Sequence, residues 1–142
     1  MGEDVHFTED HQRQVLGRDL ERHEYGVAVP WVILEDGTIV GRVTISDIVR
    51  GPFQNGHLGY WVARAYNGRG VATAAVSAAV RIAFEDLGLH RLQAGTLVHN
   101  TGSQRVLARN GFSRIGLAPR YLCIAGRWQD HLLHQRLNED PD

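Results

Sequence analysis

The sequence predicts an α/β or α+β domain, and three observations carry that reading. Short β-prone runs, Val29–Leu34 and Ile39–Ile45, flank Asp36-Gly37, a strong hairpin signal. A long stretch with helical periodicity, Val71–Leu87, lies between two further strand-like runs, which makes a β-α-β unit. The chain has 142 residues and is 43% hydrophobic, enough for one domain around one core, so residues 1–142 are expected to form a single domain.

Along the chain, Glu9–Glu24 is polar, with Val15, Leu16 and Leu20 on one side. It predicts a weakly amphipathic helix, with Thr8 placed as its cap and Gly26 as its end. The two hairpin strands follow, and Gly51-Pro52 breaks the chain. Gln54–Val62 is the third strand, with His57, Gly59 and Trp61 on one face and Leu58, Tyr60 and Val62 on the other. In the long helix Val76, Val80, Ala83, Phe84 and Leu87 make a buried stripe, and Gly88 stops it. Leu89–Val98 is a strand and Asn100–Asn110 a short helix ending at Gly111. Phe112–Leu117 and Arg127–Leu137 are the closing strands, and 138–142 is an acidic tail expected to fray.

Composition excludes several classes of function. Fifteen basic and sixteen acidic residues give a formal net charge of −1, so neither nucleic acid nor an anionic membrane is an expected partner. The single cysteine, Cys123, forms no internal disulfide, and a reducing, cytoplasmic setting fits it. The acidic start lacks the apolar run of a secretory signal, and the apolar stretches are far shorter than a membrane span. Eight histidines invite a metal site, but none of them shows His-Glu-x-x-His or comparable spacing, and no metal is expected.

The segment Asn67-Gly68-Arg69-Gly70-Val71-Ala72-Thr73 stands between a strand and a helix. The first amides of a helix lack partners within it, and the helix dipole adds partial positive charge there. Glycines ahead of the first turn let an anion approach the backbone, so the segment predicts a phosphate site. Arg69 is placed to add charge and Thr73 a hydroxyl. A P-loop needs Lys-Ser or Lys-Thr where Val71-Ala72 stands, and a dinucleotide fingerprint needs Gly or Ala at Thr73 and an acidic residue ending a second strand. Neither fits well. Taken alone, the two glycines would read as a tight turn; the strand before them and the long small-residue helix after them favour the phosphate reading.

Further motifs narrow the choice. Asn67-Gly68-Arg69-Gly70-Val71-Ala72 resembles the Gln/Arg-x-x-Gly-x-Gly/Ala turn of the GNAT acetyltransferase superfamily, with Asn67 in place of Gln or Arg. The segment from Asn100 through Ser103, Val106 and Leu107 to Gly111-Phe112 resembles the Asn-x-x-Ser-x-x-Val-Leu-x-x-x-Gly-Phe stretch of its RimJ/RimL-like branch. Gly126-Arg127-Trp128-Gln129-Asp130-His131 resembles that branch's Gly-x-Trp-x-Asp-His. The resemblance covers roughly Trp31 to Leu137. It implies a mixed, mostly antiparallel central sheet with flanking helices. The family's opening strand has no convincing counterpart before Trp31, so either the chain is short at its N-terminus or a partner completes that edge, and an exposed sheet edge favours a homodimer.

The resemblance also implies an N-acetyltransferase that moves an acetyl group from acetyl-CoA directly to a primary amine, a protein N-terminus or a small molecule. The turn Asn67–Thr73 would then hold the pyrophosphate. Backbone groups of Trp61, Val62 and Ala63 would bond the pantetheine, with the Val62 amide near the oxyanion. Asn100, which is also a good N-cap, would contact the coenzyme. Ser103 would sit near the coenzyme sulfur, and Tyr121 is a distant alternative. For a general base His57, His99 and His131 are candidates, His57 first, and a water chain reaching bulk solvent is the alternative. Asp130 with His131 reads as a structural tie. Arg105, Arg109, Arg114 and Arg120 are either a solvated face or contacts for the 3′-phosphate or an acidic substrate. A non-catalytic coenzyme-binding module and a nucleotide-binding oxidoreductase domain are the rival readings.

Overall fold

The computed structural model describes residues 28–139. The helix expected over Glu9–Glu24 and the tail's last residues, 140–142, lie outside them. Strands β1 (Ala28–Glu35) and β2 (Thr38–Val49) pair antiparallel about a two-residue turn. Its residues Asp36 and Gly37 both have positive φ, 51° and 79°, the geometry that matches the twist of a tight hairpin. β2 pairs antiparallel with β3 (Asn55–Val62), which completes the expected meander.

Helix α1 (Val71–Arg81) then crosses to β4 (Arg91–Leu97), which runs parallel to β3. Helix α2 (Thr101–Arg109), β5 (Ser113–Ile124) and β6 (Arg127–Leu137) follow. The described sheet is six-stranded in the order β1-β2-β3-β4-β6-β5, so β6 inserts between β4 and β5. Alternate strand residues Trp31, Ile33, Val43, Ile45, Leu58 and Leu92 are buried in one core with Val76, Ala79 and Ala83 of the first helical segment and Leu107 of α2. Burying each large member contributes about 2 kcal/mol.

Three departures from expectation have identifiable causes. The first helix is α-helical only to Arg81 and continues as a π-turn over Ile82–Asp86, where the Leu87 amide donates to the Ile82 carbonyl at 3.0 Å. The wider turn keeps Ala83 inward and delivers Leu89 fully into the core. β5 runs seven residues past Leu117, to Ile124, through Pro119. Pro119 is a strand breaker in a central strand, yet β5 is at the edge of the described sheet, where a proline that donates no ladder bond is tolerated, and a bulge lies between Ala118 and Leu122. The tail does not fray at Asn138. Its amide donates to His90 O at 2.8 Å, and its side chain reaches Leu89 O at 3.4 Å.

Candidate functional site

β3 and β4 pair at only three positions, the last being His57 with Gln93. Beyond that pair the two strands part. Backbone direction alternates along a strand, so two bonds fix which residues face the gap. The Ala63 amide donates to Val40 O at 2.7 Å, toward β2, and Gln54 O accepts from the His90 amide at 2.8 Å, toward β4. Odd residues of β3 therefore turn their amide groups to β2, and even residues turn theirs to the β4 side. Past His57, the backbone groups of Tyr60 and Val62 look into the gap. Of the three residues expected to meet a pantetheine, Val62 is so oriented, whereas Trp61 and Ala63 direct their polar groups to β2.

After a short 3₁₀ turn, Arg64–Tyr66, the chain enters the glycine turn. Gly70 is the N-cap of α1 with φ 79°, and Gly68 has φ 75°. No side chain caps α1, and the first backbone bond of the helix runs from the Ala74 amide to Gly70 O at 3.0 Å. The amides of Val71, Ala72 and Thr73 thus precede the helical ladder. A Cβ placed on Gly68 or Gly70 would meet nothing within 4 Å, so the approach to these amides is open. A cavity of about 620 Å³ lies against them. It is lined by Asn67, Gly68 and Gly70–Thr73 from the turn, by Tyr60–Val62 from β3, and by Asn100, Ser103, Arg105 and Arg109 around α2. The donor set fits a diphosphate at one end, and the free edge of β3 fits an amide-bearing chain toward the other.

The Arg69 side chain is turned elsewhere. Its guanidinium bonds Glu35 Oε1 at 3.0 Å and stacks over Tyr66 at 5.0 Å, outside the cavity lining. Its charge therefore anchors the turn to the β1–β2 hairpin rather than facing a ligand. The far side of α1's first turn is held by Asn110, whose Nδ2 donates to Thr73 O at 3.2 Å.

Ser103 and Asn100 converge with a residue that sequence reasoning assigned only to a strand face. Asn100 caps α2, its Oδ1 accepting from the Ser103 amide at 3.1 Å, and among the described residues its Nδ2 has no partner. The Ser103 hydroxyl meets the Tyr60 phenol at 2.5 Å, and the same phenol lies 3.3 Å from Ser103 O. Burial pushes the Tyr60 phenol above its ordinary pKa, and the Ser103 bond opposes this. The alternation Leu58, Tyr60, Val62 gave the side on which Tyr60 points. Nothing local gave its partner 43 residues away.

The histidines divide. His57 belongs to the sheet face opposite the helices and does not line the cavity, but it stands in the last β3–β4 pair, at the apex of the gap. Burial lowers its pKa, with Asp47 opposing. His131 is buried, its Nδ1 2.9 Å from Gln129 O, its ring 5.4 Å from that of Tyr121. Asp130 accepts from the Arg120 amide at 2.9 Å and fastens the β5 bulge. Asp130 thus makes a structural tie, and Tyr121 lies on His131 rather than in the cavity. His99 is exposed, and Arg114 and Arg120 lie on β5, away from the cavity.

Known proteins resemble this chain in sequence and fold. The family model described as an acetyltransferase (GNAT) domain matches residues 2–113. A Bacillus subtilis (strain 168) protein named Probable N-acetyltransferase YjcK is 36% identical over 141 residues, covering 98% of this chain and 78% of its own length. The Escherichia coli (strain K12) [Ribosomal protein uS5]-alanine N-acetyltransferase is 36% identical over 120 residues, 83% of this chain. This chain spans 62% of that enzyme's length. The structure of Mycobacterium smegmatis RimJ in complex with CoA-disulfide superposes with a TM-score of 0.81 at 33% identity, covering 96% of this chain and 70% of that one.

Proposed function

The chain belongs to the acetyltransferase (GNAT) domain family, and from that premise we propose that it transfers an acetyl group from acetyl-CoA directly to a primary amine in a ternary complex. One observation carries the reading: a continuous cavity joins the open amides of Val71, Ala72 and Thr73 to the unpaired edge of β3 and the Tyr60–Ser103 pair. The diphosphate rests on the turn Asn67–Thr73. The pantetheine runs along Val62 and Tyr60, Asn100 offers its free amide, and the thioester reaches the apex of the gap. There the Val62 amide is a donor for the oxyanion. Arg105 and Arg109, at the cavity wall, suit the 3′-phosphate.

The amine approaches from the opposite sheet face, where His57 is the base. Its lowered pKa supports this, because only neutral imidazole accepts a proton. Direct transfer is supported by the place of Cys123, which is exposed on β5 and not in the cavity lining. The acceptor class follows the relatives: a protein N-terminal amine, with a small amine as the second candidate. A ribosomal-protein acceptor entails a cytoplasmic setting. Homodimer formation through β1, an edge of the described sheet, completes the proposal.

The test is a thermal-shift series with acetyl-CoA, CoA, NAD and ATP, followed by turnover on alanine- and serine-initiated peptides and a polyamine. A ligand at one hundred times its Kd stabilises by about 2.7 kcal/mol. Stabilisation by acetyl-CoA and CoA with amide product is expected. Stabilisation without turnover on any amine would favour a non-catalytic module, and stabilisation by NAD alone an oxidoreductase domain; no relative named above supports either.

A further inference from the structure

We propose that Tyr60 is a positioning residue that aims the Ser103 hydroxyl, as proton donor, at the sulfur leaving acetyl-CoA. The proposal rests on the coenzyme reading above and adds a residue to it. Tyr60 projects from the strand edge that faces the gap, two residues beyond Leu58 and short of Val62, and it spans the gap to the first turn of α2. Both side chains line the cavity. The phenol has one proton and two acceptors in reach, the Ser103 hydroxyl at 2.5 Å, where either oxygen can donate, and Ser103 O at 3.3 Å; because a phenol is a far stronger acid than an alcohol, the proton is assigned to the shorter contact, with the seryl oxygen accepting. That direction leaves the seryl proton free to point into the cavity. The Asn100 cap on the Ser103 amide fixes the residue from the other side. The raised phenol pKa keeps Tyr60 protonated at neutral pH.

The neutral amine's nitrogen bonds the thioester carbonyl carbon, and the surplus ammonium proton leaves through the base. The C–S bond breaks with its electron pair on sulfur. Sulfur takes the Ser103 proton while Ser103 oxygen takes the Tyr60 proton. The phenolate then regains a proton from solvent at the open cavity mouth, and the products are an amide and free CoA.

The test is a double-mutant cycle on the full chain with acetyl-CoA and an alanine-initiated peptide. Tyr60→Phe, which keeps the ring, and Ser103→Ala should each lower kcat by about tenfold to a hundredfold with KM for acetyl-CoA within about twofold. The double variant should be no slower than Ser103→Ala, because Tyr60 acts through Ser103. A second readout needs no acceptor: the pH dependence of iodoacetamide alkylation of the thiol of bound CoA. Both single variants should shift that profile to higher pH than the wild type. Wild-type kcat in Tyr60→Phe, multiplying losses in the double variant, or an unshifted alkylation profile overturns the proposal. Failure of the wild type to bind CoA at all would instead overturn the coenzyme reading.

Discussion

The bare Cα of Gly41 sets how closely β2 and β3 can run beside the gap. A Cβ there would stand 2.3 Å from Trp61 O and 3.1 Å from Ile33 Cδ1. The carbonyl is backbone and cannot swing aside as a side-chain tip would. Gly41→Ala should therefore destabilise the fold by about 2 kcal/mol and displace the β3 edge, as urea unfolding and acetyl-CoA titration would register. A variant as stable as wild type would mean that the strands yield freely. Single residues were unevenly legible in the sequence. Asn100 announces itself as a cap, and the glycines of the turn announce a backbone that an anion can approach. Tyr60 does not announce Ser103, since strand alternation fixes a face and not a distant contact. Arg69 misled, because a cation beside a phosphate turn looks like a ligand until its buried partner, Glu35, is placed.

At the scale of elements, the phosphate turn is held from both sides. Arg69 ties it to β1 through Glu35, which is only 7% exposed, and Asn110 ties α1's first turn to the end of α2. A cradle of backbone donors works only when it is held in place. Glu35→Gln keeps a hydrogen-bond acceptor but removes the charge, and it should weaken acetyl-CoA binding by about threefold to tenfold while the fold persists. Calorimetric titration would read the affinity, and an unchanged value would show that the turn is rigid without the ion pair. The hairpins, the crossover helix and α2 were legible because their turn chemistry and periodicity are local. The length of β5 and the π-turn were not. Pro119 is punctuation in a central strand but harmless at an edge, and which strand is an edge is decided by the whole sheet. The parting of β3 and β4 is likewise invisible in Gln54–Val62, which reads as an ordinary strand.

At the scale of the molecule, packing among the described residues leaves two histidines in environments that disfavour charge. Burial lowers the pKa of His57, and burial together with the Arg114 charge lowers that of His134. The unfolded chain therefore binds protons that the folded chain resists. The stability these two groups lend is complete above the ordinary histidine pKa of 6.5 and is lost as pH falls below it. Urea midpoints should fall between about pH 7.5 and about pH 5, and His57→Gln should flatten that slope. The same lowered pKa places the acid limb of kcat/KM below the ordinary histidine range if His57 is the base, and His57→Gln should remove that limb. A wild-type limb in the variant would assign the base elsewhere.

The central claim is that the free amides opening α1 hold the diphosphate of acetyl-CoA. It is tested most directly by following backbone amide resonances while CoA is titrated into the isotopically labelled protein. Saturable shifts that are largest at Gly70, Val71, Ala72 and Thr73 are the expected result. Saturable binding that leaves those four amides unmoved would contradict it.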